Sequence, residues 1–266
     1  MRDAYFDNAK AILIILVVIG HILELFLTND SRLLLYIYQF IYIFHMPAFA
    51  ILSGFFAKKV HNLTRAELKY IWLYIIFTII FTPFSGRPLL INLIIPYRHL
   101  WYLLSLSLWY SLIQFIKYSK LSIILSLIVA IMAGYFDRIG IVGSASRIIV
   151  LFPFFLTGYF ASKMNFHLFR PKTAAILLFV IFILLTMLDI DSYWLYNADS
   201  YARLGVTEIY AGVYRLLLLL IYALSTACFF SLVPQKRHLI TQIGTKTLWI
   251  YLLHEFFIIL VINLVR

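Results

Sequence analysis

Long apolar runs follow one another along the chain, separated by short polar and basic stretches. Their lengths approach the roughly 20 residues that a helix needs to cross a membrane. The runs lie at 9–28, 33–57, 68–84, 99–116, 121–136, 147–162, 173–190, 209–233 and 247–265. Between the third and fourth runs, the stretch 85–98 contains Gly86, Pro88 and Pro96, so we expect a loop there that can dip into the bilayer. The pattern predicts an all-α, polytopic bundle of about nine transmembrane helices.

The composition supports this prediction. Apolar residues make up 64% of the chain, charged residues make up 12%, and the mean hydropathy is +0.97. A soluble globular domain has roughly 25% charged residues, so a water-soluble fold is excluded. Within a bilayer only helices or a closed barrel satisfy the backbone, and these runs are of helical length without strict alternation. No linker, low-complexity tract or repeat interrupts the pattern, so residues 1–266 are expected to form one domain.

The net charge of +11 is concentrated in alternate loops. With the first residues inside, one side of the membrane carries Lys58, Lys59, Arg65, Lys69, Lys117, Lys120, Lys163, Arg170, Lys172, Lys236 and Arg237. The other loops carry Asp30, Asp137, Asp189, Asp191 and Asp199. Basic loops face the cytoplasm, so we predict a cytoplasmic amino terminus and no nucleic-acid partner. The first run is too long for a cleaved signal peptide and contains His21 and Glu24.

The first run contains the clearest candidate chemistry, because ionisable groups inside a bilayer are costly and usually functional. Lys10 and His21 are eleven residues apart, close to three helical turns. They therefore share a face, about 16 Å apart along the axis. Glu24 follows one turn later and can accept a hydrogen bond from the imidazole, which would fix its tautomer. The alternative is a structural His and Glu pair that only holds helices together.

The second run combines a proline with polar side chains. Pro47 removes a backbone donor, which predicts a break or kink in mid-bilayer next to His45 and Ser53. Such a break is typical of a cavity wall, although proline kinks that serve only packing are also common.

Three arginines lie close to or inside spans. Arg98 and His99 open the fourth run beside Trp101, which anchors a helix at the outer interface. Arg147 precedes the Pro153 segment, and Arg215 lies within the eighth run. A guanidinium in this setting needs a carboxylate or phosphate partner. We therefore expect at least one of Arg147 and Arg215 to lie within reach of a central cavity and to face the protein interior.

Four stretches resemble a known family. They are Phe6-Asp7-Asn8-Ala9-Lys10 through Gly20-His21, Phe44-His45-Met46-Pro47 through Ser53-Gly54-Phe55, His99-Leu100-Trp101-Tyr102-Leu103, and Ile243-Gly244-Thr245-Lys246-Thr247-Leu248-Trp249-Ile250-Tyr251-Leu252-Leu253-His254. In this order they are similar to the integral-membrane acyltransferases of family three, the bacterial glycan O-acetylases, and within it to the fucose O-acetylase-like branch.

The resemblance implies transfer of an acyl group, usually acetyl, from cytoplasmic acetyl-CoA to a hydroxyl of an extracytoplasmic or lipid-linked glycan at a bacterial plasma membrane. The family's functional basic residue and histidine of the first span correspond to Lys10 and His21. Many members have arginine where this chain has Lys10, and lysine cannot recognise a phosphate bidentately. Members also usually carry one helix more than the pattern predicts here.

Acyl transfer from a thioester to a hydroxyl needs a base, because a neutral hydroxyl is a poor nucleophile. We predict that His21 is this base and that Glu24 orients it. Lys10 is the first candidate to hold the CoA phosphates at the cytoplasmic mouth, with Lys58 and Lys59 as further candidates. No metal is expected.

An oxyanion must also be stabilised during transfer, and His45, Tyr251 and His254 are candidates for this role. Two other functions stay open. A secondary transporter or flippase could use embedded His and Glu as a relay, although no paired repeat halves are visible. A non-enzymatic membrane scaffold is the third possibility.

Overall fold

The computed structural model describes residues 3–27, 31–116, 119–140, 142–161 and 166–265. Within these ranges the protein consists of helices and connecting turns, and none of the described residues forms a strand. The all-α fold is therefore confirmed. Asp30, Lys117 and Lys163, which belong to the predicted charge pattern of the loops, lie outside the described residues.

Thirteen α-helices lie in the described ranges, together with short 3₁₀ turns. They are α1 (Ala4–Glu24), α2 (Arg32–Tyr42), α3 (His45–Ala57), α4 (Leu63–Ser85), α5 (Leu89–Ile94), α6 (Trp101–Leu112), α7 (Lys120–Met132), α8 (Ala145–Phe160), α9 (Pro171–Leu188), α10 (Ser192–Tyr196), α11 (Ala211–Leu232), α12 (Thr241–Thr245) and α13 (Thr247–Val265).

Six helical segments of the described chain are long and apolar enough to cross a membrane. They are Ala4–Glu24, Arg32–Ala57, Leu63–Ser85, Val142–Phe160, Pro171–Leu188 and Ala211–Leu232. Shorter apolar helices cover Lys120–Tyr135 and Thr247–Ile262. Each of the nine predicted runs contains helix, so the polytopic bundle is confirmed, while full membrane crossing by the shorter helices stays a prediction.

Helix α1 begins and ends earlier than the apolar run indicates. The Asp3 carboxylate accepts a hydrogen bond from the Tyr5 N–H at 3.0 Å and so caps the first turn. The helix ends at Glu24, where the predicted run continues to residue 28. His21 consequently lies in the last turn of α1, nearer the end of the helix than the run predicted.

The second span is interrupted at Ile43 and Phe44, directly before His45, where the sequence predicts a break. Helix α3 begins at His45, so Pro47 lies in its first turn. Pro47 has no N–H to donate to the Ile43 carbonyl four residues earlier. Hydroxyls of α11 approach the carbonyls at this interruption: Ser225 Oγ lies 3.4 Å from the Ile43 oxygen and Thr226 Oγ1 lies 3.5 Å from the Phe44 oxygen. The Phe44 carbonyl also accepts from the Ala48 N–H at 2.9 Å, and Ser225 makes its shortest contact, at 2.6 Å, with the Ile221 carbonyl.

The stretch 85–98 is not simply a loop, because it contains α5. Pro88 precedes the first turn of this helix, and Asn92 is 1% exposed. The Asn92 amide donates to the Ser85 hydroxyl at 2.6 Å, and the Tyr74 hydroxyl donates to the Asn92 carbonyl at 3.1 Å. Hydrogen bonds to α4 therefore hold this short helix, which the glycine and prolines of the sequence concealed.

The helices form two compact units that alternate along the chain. The first unit comprises Met1–Phe49, Met164–Leu195 and Leu219–Arg266, and the second comprises Ala50–Lys163 and Tyr196–Leu218. In the first unit, α1 packs against α2, α12 and α13, and α2 packs against α9. In the second unit, α4 packs along α6 and α7 along α8. A single domain over 1–266 stays a prediction.

Two glycines bring α3 and α8 together in the second unit. A Cβ added at Gly54 would lie 1.9 Å from the Phe155 carbonyl oxygen, and one added at Gly158 would lie 2.0 Å from that of Ile51. The helices therefore touch backbone to backbone. Small residues at such crossings are a common means of packing in membranes, where apolar surface alone gives no preference for another helix over lipid.

Candidate active site

A hydrogen-bond network surrounds Glu24 in the first unit. One carboxylate oxygen, Oε2, lies 3.2 Å from His21 Nδ1. The other, Oε1, accepts hydrogen bonds from the Tyr38 hydroxyl at 2.8 Å and the Tyr42 hydroxyl at 2.7 Å. Three donors on two helices thus fix the carboxylate and stabilise its negative charge.

This network orients the His21 imidazole. The Glu24 carboxylate is an acceptor, so Nδ1 carries the proton and Nε2 presents a lone pair. The His21 side chain keeps 15% exposure, which leaves an approach to the ring. A neutral imidazole held in this way has the properties of a general base, and the catalytic role of His21 and Glu24 stays a prediction.

A second imidazole lies against the first. The His254 ring stacks on the His21 ring with centroids 5.3 Å apart and planes 28° apart. His254 Nδ1 lies 2.7 Å from the Tyr251 carbonyl oxygen, so this nitrogen carries the proton. His254 can therefore donate from Nε2 to an oxyanion only when it is doubly protonated.

His45, like His254, has its Nδ1 hydrogen-bonded to a backbone carbonyl of its own chain segment. Its side chain is 4% exposed, and its Nδ1 lies 2.8 Å from the Ile41 carbonyl oxygen. Its ring meets the Tyr42 ring edge-on, with centroids 4.7 Å apart. The first unit therefore brings together His21, Glu24, His45, Tyr251 and His254 of the predicted site residues.

Lys10 has a buried partner. Its Nζ lies 3.1 Å from Asp7 Oδ1, and the Asp7 side chain is 4% exposed. Next to this pair, the Asn8 amide donates to the carbonyls of Pro234 and Lys236, both at 2.8 Å. The ion pair offsets the charge of Lys10, which makes Lys10 a weaker phosphate ligand than an unpaired lysine.

In the second unit, Ser53 and Arg147 have partners of their own. Ser53 Oγ lies 3.0 Å from the Tyr102 hydroxyl. Arg147 Nε donates to the Tyr196 carbonyl at 3.1 Å, and its guanidinium lies 5.3 Å from the centre of the Trp101 ring. Trp101 thus makes a cation–π contact in addition to its predicted anchoring role.

Arg215 is fully buried in the second unit. Its guanidinium donates to the Asn197 side-chain oxygen and lies 5.6 Å from the centre of the Tyr201 ring. The side chain thus faces the protein interior, as the cost of a lipid-facing arginine requires.

Arg98 and His99 form a 3₁₀ turn ahead of α6. Arg98 has a positive φ of 39°, a conformation that non-glycine residues rarely adopt. His99 is 3% exposed, and its ring meets the Phe81 ring edge-on at 5.7 Å. The strained backbone of Arg98, with its positive φ, persists only because the surrounding structure holds the residue in place.

Lys58 and Lys59 follow the end of α3. Both ammonium groups lie near the Phe55 ring, at 5.9 Å and 5.5 Å from its centre. Lys58 also donates to the Ala161 carbonyl, and partial burial lowers the pKa of its ammonium below the ordinary value. Among the described residues, the Lys59 ammonium makes ring contacts and no hydrogen bond. Of the two lysines, Lys59 is therefore the better candidate to bind a phosphate.

Comparison with known proteins decides the family. Residues 3–266 match the model of the acyltransferase domain. The chain belongs to this acyltransferase family. It is also 48% identical over 59 residues to Nodulation protein NolL of Sinorhizobium fredii and 44% identical over 59 residues to NolL of Mesorhizobium japonicum. Each match spans 21% of this chain and only 16% of the relative. No solved structure matches the chain.

For this acyltransferase, sequence reasoning missed two residues of the His21 network. Tyr38 and Tyr42 fall within an apolar run, where aromatic residues usually signal packing. Their spacing of four residues places both hydroxyls on one face of α2. This spacing is the feature of the sequence from which a shared hydrogen-bond partner could have been predicted. The partner of that face, Glu24, could not be read from the sequence.

The acyltransferase also uses polar residues at the start of α1 that the sequence assigned no role. Asn8 is fully buried and accepts a hydrogen bond from the Thr241 hydroxyl at 2.6 Å. A Cβ at Gly244 would lie 1.8 Å from the Asp7 carbonyl oxygen, so α12 contacts the backbone of α1 directly. These contacts tie the stretch around Lys10 to the stretch before α13, two of the four that carry the family resemblance.

Proposed function

We propose that this protein is a multi-pass O-acetyltransferase of the bacterial plasma membrane, which moves acetyl from cytoplasmic acetyl-CoA to a hydroxyl of an extracytoplasmic or lipid-linked glycan. Membership of the acyltransferase family supports the reaction class. The observation that carries the proposal is the contact between His21 Nδ1 and Glu24 Oε2 at 3.2 Å, within a partly buried network that includes Tyr38 and Tyr42. The acceptor class and the fucose O-acetylase-like branch rest on resemblance alone.

In this mechanism, His21 Nε2 takes the proton of the acceptor hydroxyl while the hydroxyl oxygen attacks the thioester carbonyl carbon. A C–O bond forms, the C–S bond breaks, and the thiolate of CoA leaves and takes the proton from His21 Nε2, which restores the neutral imidazole. Glu24 stabilises the imidazolium that exists between these steps, because its Oε2 already accepts from Nδ1. The tyrosines keep the carboxylate in place throughout.

Radiolabelled acetyl-CoA tests this function directly. Purified protein in lipid nanodiscs, given labelled acetyl-CoA and glycan acceptors, should release CoA and yield an acetylated acceptor. A transporter would move its substrate without consuming the thioester, and a scaffold would do neither. Mass spectrometry of surface glycans with and without the protein then identifies the acceptor by the mass of one acetyl group.

The proposed orientation makes a labelling prediction. Single cysteines at Lys59, Lys120 and Lys172 should react only with reagents that reach the cytoplasm, and one at Thr207 should react from outside. All four positions are exposed. The buried Cys228 is replaced by alanine in the background. Asn197, in the same outer segment, is unsuitable because it is 5% exposed and bonded to Arg215. External labelling of position 120 would overturn the orientation.

The tyrosine network makes a kinetic prediction. Tyr38→Phe and Tyr42→Phe each remove one hydrogen bond to an ionised carboxylate, a contact worth roughly 1.5–3 kcal/mol. We expect each substitution to lower kcat about tenfold or more with little change in the KM for the donor. Tyr36→Phe, on the same helix, is the matched control and should behave like the wild type. Equal rates for all three variants would mean that Glu24 needs no positioning.

A further inference from the structure

An open cavity lies beside the first turns of α1, within the first unit. Its volume is about 620 Å³, and its lining includes Asp7, Arg237, His238, Thr241, Gln242 and Thr245. This volume is typical of sites for small molecules and cofactors. Leu239 also lines the cavity, and much of the lining surface is apolar. Most of the lining comes from the segment that precedes and forms α12.

The charges of this cavity favour an anion. Lys10 pairs with Asp7 at 3.1 Å and so offsets the one carboxylate in the lining. Arg237 and His238 then remain as the basic groups, and both side chains are exposed. A guanidinium recognises a phosphate through two parallel hydrogen bonds, which an ammonium group cannot do. The Gln242 amide adds a neutral donor. The hydroxyls of Thr241 and Thr245 already donate to the Asn8 side chain and to the Gln242 carbonyl.

We infer that this cavity binds the phosphate-bearing end of the acyl donor, with Arg237 as its principal ligand. The inference rests on the proposed function, since it presumes a CoA thioester as donor. It replaces Lys10 by Arg237 as the phosphate ligand, because Lys10 already has a carboxylate partner.

The position of the cavity along α1 supports this assignment. Asp7, in its lining, and His21 are fourteen residues apart on one helix, about 21 Å along the axis. A donor that reaches both must carry its reactive carbonyl on a long arm, away from its phosphates. Acyl-CoA has this form, because the pantetheine arm separates the thioester from the nucleotide. An acyl phosphate does not, since its phosphate adjoins the reacting carbon.

The test is equilibrium binding of CoA, dephospho-CoA and pantetheine to the full-length protein in nanodiscs of neutral lipid. Arg237→Gln should weaken CoA binding about tenfold or more, the loss expected for a charge-assisted contact. Pantetheine, which has no phosphate, should bind the variant and the wild type equally. His238→Gln should show a smaller loss in the same direction. Arg170→Gln, an exposed arginine of the same unit outside the cavity, is the matched control.

The outcomes separate the inference from the proposed function. If Arg237→Gln and Arg170→Gln bind CoA as tightly as the wild type, while the wild type transfers acetyl, the cavity assignment is overturned and the function stands. If the wild type neither binds CoA nor consumes acetyl-CoA, both fail. An anionic lipid headgroup offers the same phosphate chemistry. If Arg237→Gln weakens binding of anionic lipid but leaves CoA binding in neutral nanodiscs unchanged, the cavity is a headgroup site and the inference is wrong.

Discussion

Replacing His21 with alanine is expected to lower the rate of acetyl transfer by a factor of about 10²–10⁴, the usual contribution of a general base. The imidazole nitrogen that faces away from Glu24 would be lost, while the cavity beside Asp7 would keep its lining. CoA binding and melting temperature should therefore stay near their wild-type values. Transfer from labelled acetyl-CoA, measured beside CoA binding, checks both parts.

Glu24→Gln should reduce the rate less severely, because an amide oxygen can still accept from the imidazole but carries no charge to stabilise an imidazolium. The matched control is His61→Ala, since His61 is an exposed histidine outside the network. If His21→Ala lowers the melting temperature together with the rate, the pair is structural. A well-folded His21→Ala protein that acetylates at nearly the wild-type rate would contradict the assignment.

Gly54→Ala should lower the free energy of unfolding. The new methyl would lie 1.9 Å from the Phe155 carbonyl oxygen, and neither backbone can give way without separating α3 from α8. Overpacking of this kind typically costs about 1–3 kcal/mol of the free energy of unfolding. Thermal unfolding in detergent, followed by loss of the monodisperse peak, measures the change.

Gly20→Ala is the control for this prediction. Its added Cβ would lie 3.3 Å from the Tyr42 ring, a side chain that can shift by a few tenths of an ångström. We expect a clearly smaller loss of stability than for Gly54→Ala. Equal melting temperatures for the two variants would show that the α3 and α8 backbones are not in close contact.

The apolar pattern predicted the helices better than their ends. Each predicted run contains helix because burial in lipid depends on run length, which hydropathy records. The start of α1 depends on the Asp3 cap, which the hydropathy of the run does not record. Pro47 predicted a break beside His45, and the interruption lies at Ile43 and Phe44, four and three residues before the proline.

In the candidate site, too, contacts within one helix could be predicted from the sequence and contacts between helices could not. The contact between His21 and Glu24 could be predicted because both lie on one helix, where their spacing fixes their proximity. Tyr38, Tyr42 and the stack of His254 on His21 join that pair from other helices. The hydrogen bond between Arg215 and the neutral side chain of Asn197 could not be predicted either. A charged side chain in a span suggests a charged partner.

Because segments of the two units alternate along the chain, the two units can complete their folding at different times during synthesis. The first unit is assembled from three separated segments, so His21 and His254 are synthesised 233 residues apart. At about 5–20 residues per second, His21 waits on the order of 10–50 s for its neighbouring imidazole. The second unit lacks no segment beyond Leu218 and can therefore fold earlier. The stack of His254 on His21 therefore forms only after residue 254 has been synthesised, whereas the contacts of Glu24 with His21, Tyr38 and Tyr42 need only the first of the three segments.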